Sequence, residues 1–141
     1  MPSEFVKEVA DVFAKDGPLS KVTANYTPRP SQIEFATSVA EALEKGKTLV
    51  AEAGTGTGKT FAYLVPALLK DQKVLISTAG KTLQDQLFTK DIPALLKALG
   101  MGCRVALLKG RSNYICKQRL EHALQEDSYV AKSRDCLLYT S

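Results

Sequence analysis

The stretch Ala53-Gly54-Thr55-Gly56-Thr57-Gly58-Lys59-Thr60 decides how this chain is read. Ahead of it, Thr48-Leu49-Val50-Ala51-Glu52-Ala53 is a short apolar run that predicts a buried strand. Behind it, residues 59–70 predict a helix, kinked at Pro66. Glycines let successive backbone N–H groups turn toward one anion, and a helix that starts there points its positive end at the same place. A lysine placed as Lys59 is reaches the β- and γ-phosphates of a nucleotide, and a hydroxyl placed as that of Thr60 coordinates Mg²⁺. The strict phosphate-loop pattern has glycine at position 53, where this chain has Ala53.

Residues 73–78 (Lys-Val-Leu-Ile-Ser-Thr) predict a second strand and residues 104–108 a third. Helices are expected between and around them. Phe5, Val6, Val9, Val12 and Phe13 recur at helical spacing behind Ser3, a suitable N-cap. Asp16-Gly17-Pro18 ends that helix, and an extended stretch is expected up to Pro30. Ser31-Gln32-Ile33-Glu34 matches a capping box and predicts a second helix with Ile33, Ala36, Val39, Ala40 and Leu43 on its apolar face, ended by Gly46. Leu83 and Leu87 mark a further helix, residues 93–99 a shorter one ended by Gly100, and Cys116, Leu120, Ala123 and Leu124 a last one after a loop at 109–113. Strands alternating with helices make the expected fold class α/β, a P-loop NTPase with a parallel sheet and helices on both faces.

With 141 residues, 45% hydrophobic and 24% charged, the chain has the composition of an ordinary globular domain. No apolar run approaches the roughly 18 residues of a membrane span, and the N-terminus carries acids where an export signal needs bases. A cytoplasmic location without membrane partners is expected. The net charge of +4 is unevenly placed: no acid lies between Asp91 and Glu121, where Lys97, Arg104, Lys109, Arg111, Lys117 and Arg119 all fall. Such a face either suits a polyanion such as nucleic acid or is solvated with no partner. Three cysteines (Cys103, Cys116, Cys136) without a CxxC spacing argue against a disulfide framework, and the single His122 excludes an HExxH zinc site.

Two further segments carry chemistry. In Tyr26-Thr27-Pro28-Arg29-Pro30-Ser31-Gln32, a glutamine amide can donate to and accept from an adenine edge at once, while Tyr26 either stacks on the base or covers the core. Arg29 falls within the same candidate nucleotide site. In Ser77-Thr78-Ala79-Gly80-Lys81-Thr82-Leu83-Gln84, small hydroxylated residues and N–H groups at a helix start can hold strand phosphates without reading bases, which makes Thr78, Ala79, Lys81 and Gln84 candidate nucleic-acid contacts.

The loop in its Ala-x-x-Gly-x-Gly-Lys-Thr form resembles motif I of superfamily-two helicases, residues 26–32 resemble a Q-motif, and residues 77–87 resemble motif Ia. Together with Leu107-Leu108-Lys109-Gly110-Arg111-Ser112-Asn113-Tyr114-Ile115-Cys116, they make the chain similar to the N-terminal part of DinG-like DNA helicases, relatives of the XPD group, and most similar to the YoaA-type branch. The resemblance implies a RecA-like domain using ATP and Mg²⁺, movement on single-stranded DNA, and a role in DNA repair. It casts Lys59 and Thr60 as catalytic, the stretch Ala53 to Thr60 with Tyr26, Arg29 and Gln32 as nucleotide-binding, Lys109 and Arg111 as further DNA contacts, and Cys116 as a ligand of a [4Fe–4S] cluster. It also divides the chain into a lead-in (1–27), the first part of the ATP-binding domain (28–112) and the start of a cluster insertion (113–134). Residues 135–141 depart from the pattern and read as a non-native tail resembling translated adapter read-through.

A cluster needs four thiolates, and ATP hydrolysis of this kind needs an Asp-Glu pair after an apolar strand. The chain has three cysteines and no Asp-Glu pair, so a fragment of a longer helicase is expected. The alternatives are another P-loop ATPase or kinase, or a nucleotide-binding fragment without catalysis.

Overall fold

A computed structural model describes residues 1–125 except 22, 24, 25, 55 and 57. The chain divides into two compact units, Met1–Ala106 and Leu107–Ser141.

In the first unit, α1 (Glu4–Val12) starts as its sequence dictates, with the Ser3 hydroxyl accepting from the Val6 N–H at 3.2 Å. Val6, Val9, Val12 and Phe13 are buried. The next segment is not simply extended: Pro18–Lys21 forms a 3₁₀ turn that buries Leu19 completely. Gly17 is required there by close approach, because a Cβ would lie 2.6 Å from the Val12 carbonyl oxygen and against that of Asp11. Both obstacles are backbone and cannot rotate away. Gly17→Ala should therefore lower the unfolding free energy by about 1–3 kcal/mol, the usual cost of overpacking, read as a fall in the thermal midpoint. An unchanged midpoint would contradict this packing.

Helix α2 (Pro30–Lys45) begins two residues earlier than a capping box at Ser31 requires. Pro30 takes the first helical turn, where its fixed φ is suited and its missing N–H costs nothing, and the N-cap becomes Arg29, without a side-chain cap. The helix ends at Gly46, in the left-handed conformation at φ 58°. Ala36 and Ala40 of α2 face Ala62, Leu64 and Val65 of α3 (Lys59–Leu69) within one core, and the small side chains let these two helices approach closely. Pro66 lies buried inside α3.

Helix α4 (Lys81–Gln86) runs through one π-helical turn (Leu87–Asp91) into α5 (Ile92–Leu99). Pro93 has no N–H to return to the carbonyl one α-turn back, and the Ile92 N–H bonds to Leu87 instead. Leu87, Ile92 and Leu95 complete the core, and Gly100 ends α5 at φ 65°.

The parallel sheet is not formed among the described residues. Segments 48–53, 73–78 and 104–108 carry no strand pairing there, and Val50, Leu75 and Leu108 are 93%, 94% and 82% exposed. A helix satisfies its backbone locally, whereas a strand takes its hydrogen bonds from neighbours distant in sequence, so apolar β-branched composition alone does not build a sheet.

In the second unit, a 3₁₀ turn (Arg111–Asn113) precedes α6 (Lys117–Gln125). The Lys109 N–H donates to the Tyr114 hydroxyl at 2.9 Å and the Asn113 amide to the Gly110 carbonyl at 3.0 Å. No residue of α6 is buried. No helix among the described residues is long and apolar enough to cross a membrane.

Candidate nucleotide-binding site

The glycine-rich loop opens directly into α3, whose first turn has no side-chain cap. The orphan N–H groups of a helix start are thereby left at the loop, where an anion can take them. Gly56 and Gly58 both adopt the left-handed region, at φ 74° and 76°, which only glycine enters without strain. Thr55 and Thr57 lie outside the described residues. Lys59 is half-buried and its Nζ donates to the Ala53 carbonyl at 2.6 Å, folded back along its own loop. Thr60, the next residue, has its hydroxyl beside the Tyr63 phenol. Burial pushes the Tyr63 pKa up, the neighbouring Thr60 hydroxyl opposes the rise, and the charge of Asp91 adds to it. Tyr63 was not among the expected site residues, although its i+3 spacing from Thr60 on one helix face signals the contact.

The segment expected at the adenine edge does meet this loop. Gln32 is only 5% exposed, and its Nε2 donates to the Gly58 carbonyl at 3.0 Å, across 26 residues of sequence. Its amide is thus tied to the loop by one N–H. The Arg29 guanidinium donates to the Gly56 carbonyl. Tyr26 packs half-buried against the core, and its hydroxyl donates to the Phe13 carbonyl at 3.0 Å. Of the two roles open to Tyr26, covering the core is the one seen. Burial raises its pKa, with the charge of Arg29 opposing the rise.

Thr78, Ala79, Lys81 and Gln84 surround the start of α4, where the Thr78 hydroxyl donates to the Gly80 carbonyl at 3.2 Å. A cavity of about 520 Å³ lies between Tyr63 and Ala67 of α3 and residues 74–79, bringing this segment beside the helix that carries Lys59. Lys109 and Arg111 belong to the second unit, with Arg111 exposed in its 3₁₀ turn. Cys116 precedes α6 as an exposed free thiol, Cys103 is likewise exposed, and Cys136 lies outside the described residues, as does the 135–141 tail. Among the described residues no three His, Cys, Asp or Glu side chains gather as metal ligands, so a [4Fe–4S] cluster does not fit these residues alone.

The sequence profile described as DEAD/DEAH box helicase matches residues 33–136. The chain is 56% identical to the ATP-dependent DNA helicase YoaA of Escherichia coli over 113 residues, 80% of this chain and 18% of that protein. It is 47% identical to the protein of the same name from Haemophilus influenzae over 130 residues, 92% of this chain and 20% of that one. It is 45% identical to the ATP-dependent helicase DinG of Mycobacterium tuberculosis over 106 residues, 70% of this chain and 16% of that protein. The chain therefore spans about a fifth of the length of the curated relatives it matches. No solved structure matches it significantly. On the profile match, which covers most of its length and includes the loop at Lys59, the chain belongs to the DEAD/DEAH box helicase family, whose P-loop NTPase fold uses ATP and Mg²⁺.

Proposed function

We propose that the complete protein is an ATP-dependent DNA helicase that couples ATP hydrolysis to movement along single-stranded DNA, in the cytoplasm and in the service of DNA repair. The observation that carries this reading is the loop itself: a glycine-rich turn at an uncapped helix start, held by Gln32 and Arg29. The similarity to proteins named as DNA helicases supplies the nucleic-acid half of the reading.

Each residue then has a defined task. Lys59 turns from the Ala53 carbonyl to the nucleotide phosphates, and the uncapped N–H groups at the start of α3 share that anion. Thr60 holds Mg²⁺, which supplies neutralisation of phosphate charge. Gln32 keeps its carbonyl oxygen as an acceptor for the adenine edge, while Tyr26 supports that turn from the core side. Thr78, Ala79, Lys81 and Gln84 hold strand phosphates at the start of α4, and in the second unit Lys109 and Arg111 are further DNA contacts. Residues 48–53, 73–78 and 104–108 are proposed to pair as parallel strands in the complete protein, where their exposed apolar side chains would be covered. The same holds for the division at 27, 112 and 134, for Cys116 as one cluster thiolate, and for the water-activating carboxylates, all of which depend on the rest of the protein.

The test is the ATPase rate of the complete protein with and without single-stranded DNA. A rate that rises on adding DNA is expected. A rate indifferent to DNA would favour another P-loop enzyme, and nucleotide binding without turnover would leave a binding module.

A further inference from the structure

We propose that Arg29 is a positioning residue that holds the phosphate loop in its anion-binding shape from outside, by donating to the Gly56 carbonyl, rather than a group that touches the nucleotide. The proposal rests on the reading of residues 53–60 as a phosphate loop.

Three observations lead to it. First, Gly56 sits at φ 74°, yet a Cβ built there would meet nothing within 4 Å. Packing does not hold this left-handed glycine, and the Arg29 guanidinium is a polar contact on its carbonyl. Gly58 differs, since Gln32 crowds it. Second, Arg29 has its backbone held at a helix start, while its side chain is exposed. As the N-cap of α2 it has extended backbone, and its carbonyl accepts from the N–H groups of Gln32 and Ile33 at 3.0 and 3.1 Å. Its side chain thus reaches across 27 residues of sequence from a fixed origin. Third, the carbonyl and amide of one trans peptide point in opposite directions. A donor that holds a loop carbonyl therefore also constrains the amide of the same peptide unit, and a phosphate loop works by aiming its amides at one anion.

Together with Gln32 on the Gly58 carbonyl, Arg29 makes the first turn of α2 a brace behind the loop. The guanidinium suits this because its planar fork loses little freedom when it bonds, which a lysine ammonium does not match. Its positive charge behind the loop also favours the incoming anion.

The experiment uses the complete protein as parent, Arg29→Ala, Arg29→Lys and Lys59→Ala, each first checked for an unchanged thermal midpoint. Binding of Mg-ATP and of inorganic tripolyphosphate, which lacks the nucleoside, is measured by competition. Amide hydrogen exchange over residues 54–58 is measured without nucleotide. Arg29→Ala is expected to weaken both ligands by the same factor, about ten-fold, and to speed exchange in the nucleotide-free loop, with Arg29→Lys restoring only part of either. Loss of ATP affinity with tripolyphosphate unchanged would place Arg29 on the nucleoside and overturn the proposal. Unchanged exchange would overturn it too. If Lys59→Ala leaves tripolyphosphate binding intact, the phosphate-loop reading beneath it fails instead.

Discussion

Replacing Lys59 by alanine in the complete protein is expected to cut ATP-dependent unwinding by about 10²–10³-fold, the scale lost when one preorganised charge donor is removed from a reacting centre. The structure says why this loss should be catalytic and not a failure to fold. Lys59 is the first residue of α3, where alanine is an excellent helix former. Its ammonium has the Ala53 carbonyl as its recorded partner, at 2.6 Å within the same loop, so no ion pair of the core is broken. The core residues of α3 are Ala62, Leu64, Val65 and Pro66, and the substitution touches none of them. The thermal midpoint should therefore stay with the parent, while nucleotide affinity and turnover both fall. Binding to single-stranded DNA without nucleotide should persist, because the proposed strand contacts lie at Thr78 to Gln84. Unwinding undiminished in the variant would contradict the role given to the loop.

The helix ends of this protein are legible in its sequence because they are local chemistry. Ser3 caps α1, and Gly46 and Gly100 close α2 and α5 at φ 58° and 65°. Ser31 shows the limit of such reading. Its spacing from Glu34 satisfies a capping box, but Pro30 is better suited to the first helical position and moves the start of α2 upstream. The extended segments are legible as apolar runs but not as a sheet, because their partners are set by the rest of the molecule. At the site, the glycine spacing and Lys59-Thr60 point to phosphate binding without a structure. The brace behind the loop does not show, since the contacts of Gln32 and Arg29 span 26 and 27 residues and end on backbone carbonyls, which leave no mark in a side-chain pattern. Burial of Gln32, a polar residue at 5% exposure, likewise follows from the meeting of α2 with the loop and not from its position in α2.

That meeting gives Gly58→Ala the second largest expected effect. Two costs fall on one methyl group. At φ 76° an L-residue is strained by roughly 1–2 kcal/mol. In addition, the new Cβ would press on the Gln32 Nε2 and lie 2.9 Å from its Cδ, pushing the amide off the Gly58 carbonyl. Gln32 is buried, so the displaced amide has little room, and its loss from the loop removes a hydrogen bond worth about 1 kcal/mol. Both act at the residue that joins loop to helix, so the KM for ATP in the complete protein should rise about ten-fold or more. The two costs can be separated. In a Gln32→Ala background the collision vanishes while the strain remains, so adding Gly58→Ala there should cost less than it does in the parent. A double-mutant cycle reads this difference as a coupling energy of about 1 kcal/mol. Strict additivity would mean that the strained backbone alone accounts for the loss, and that Gln32 does not support the loop through Gly58.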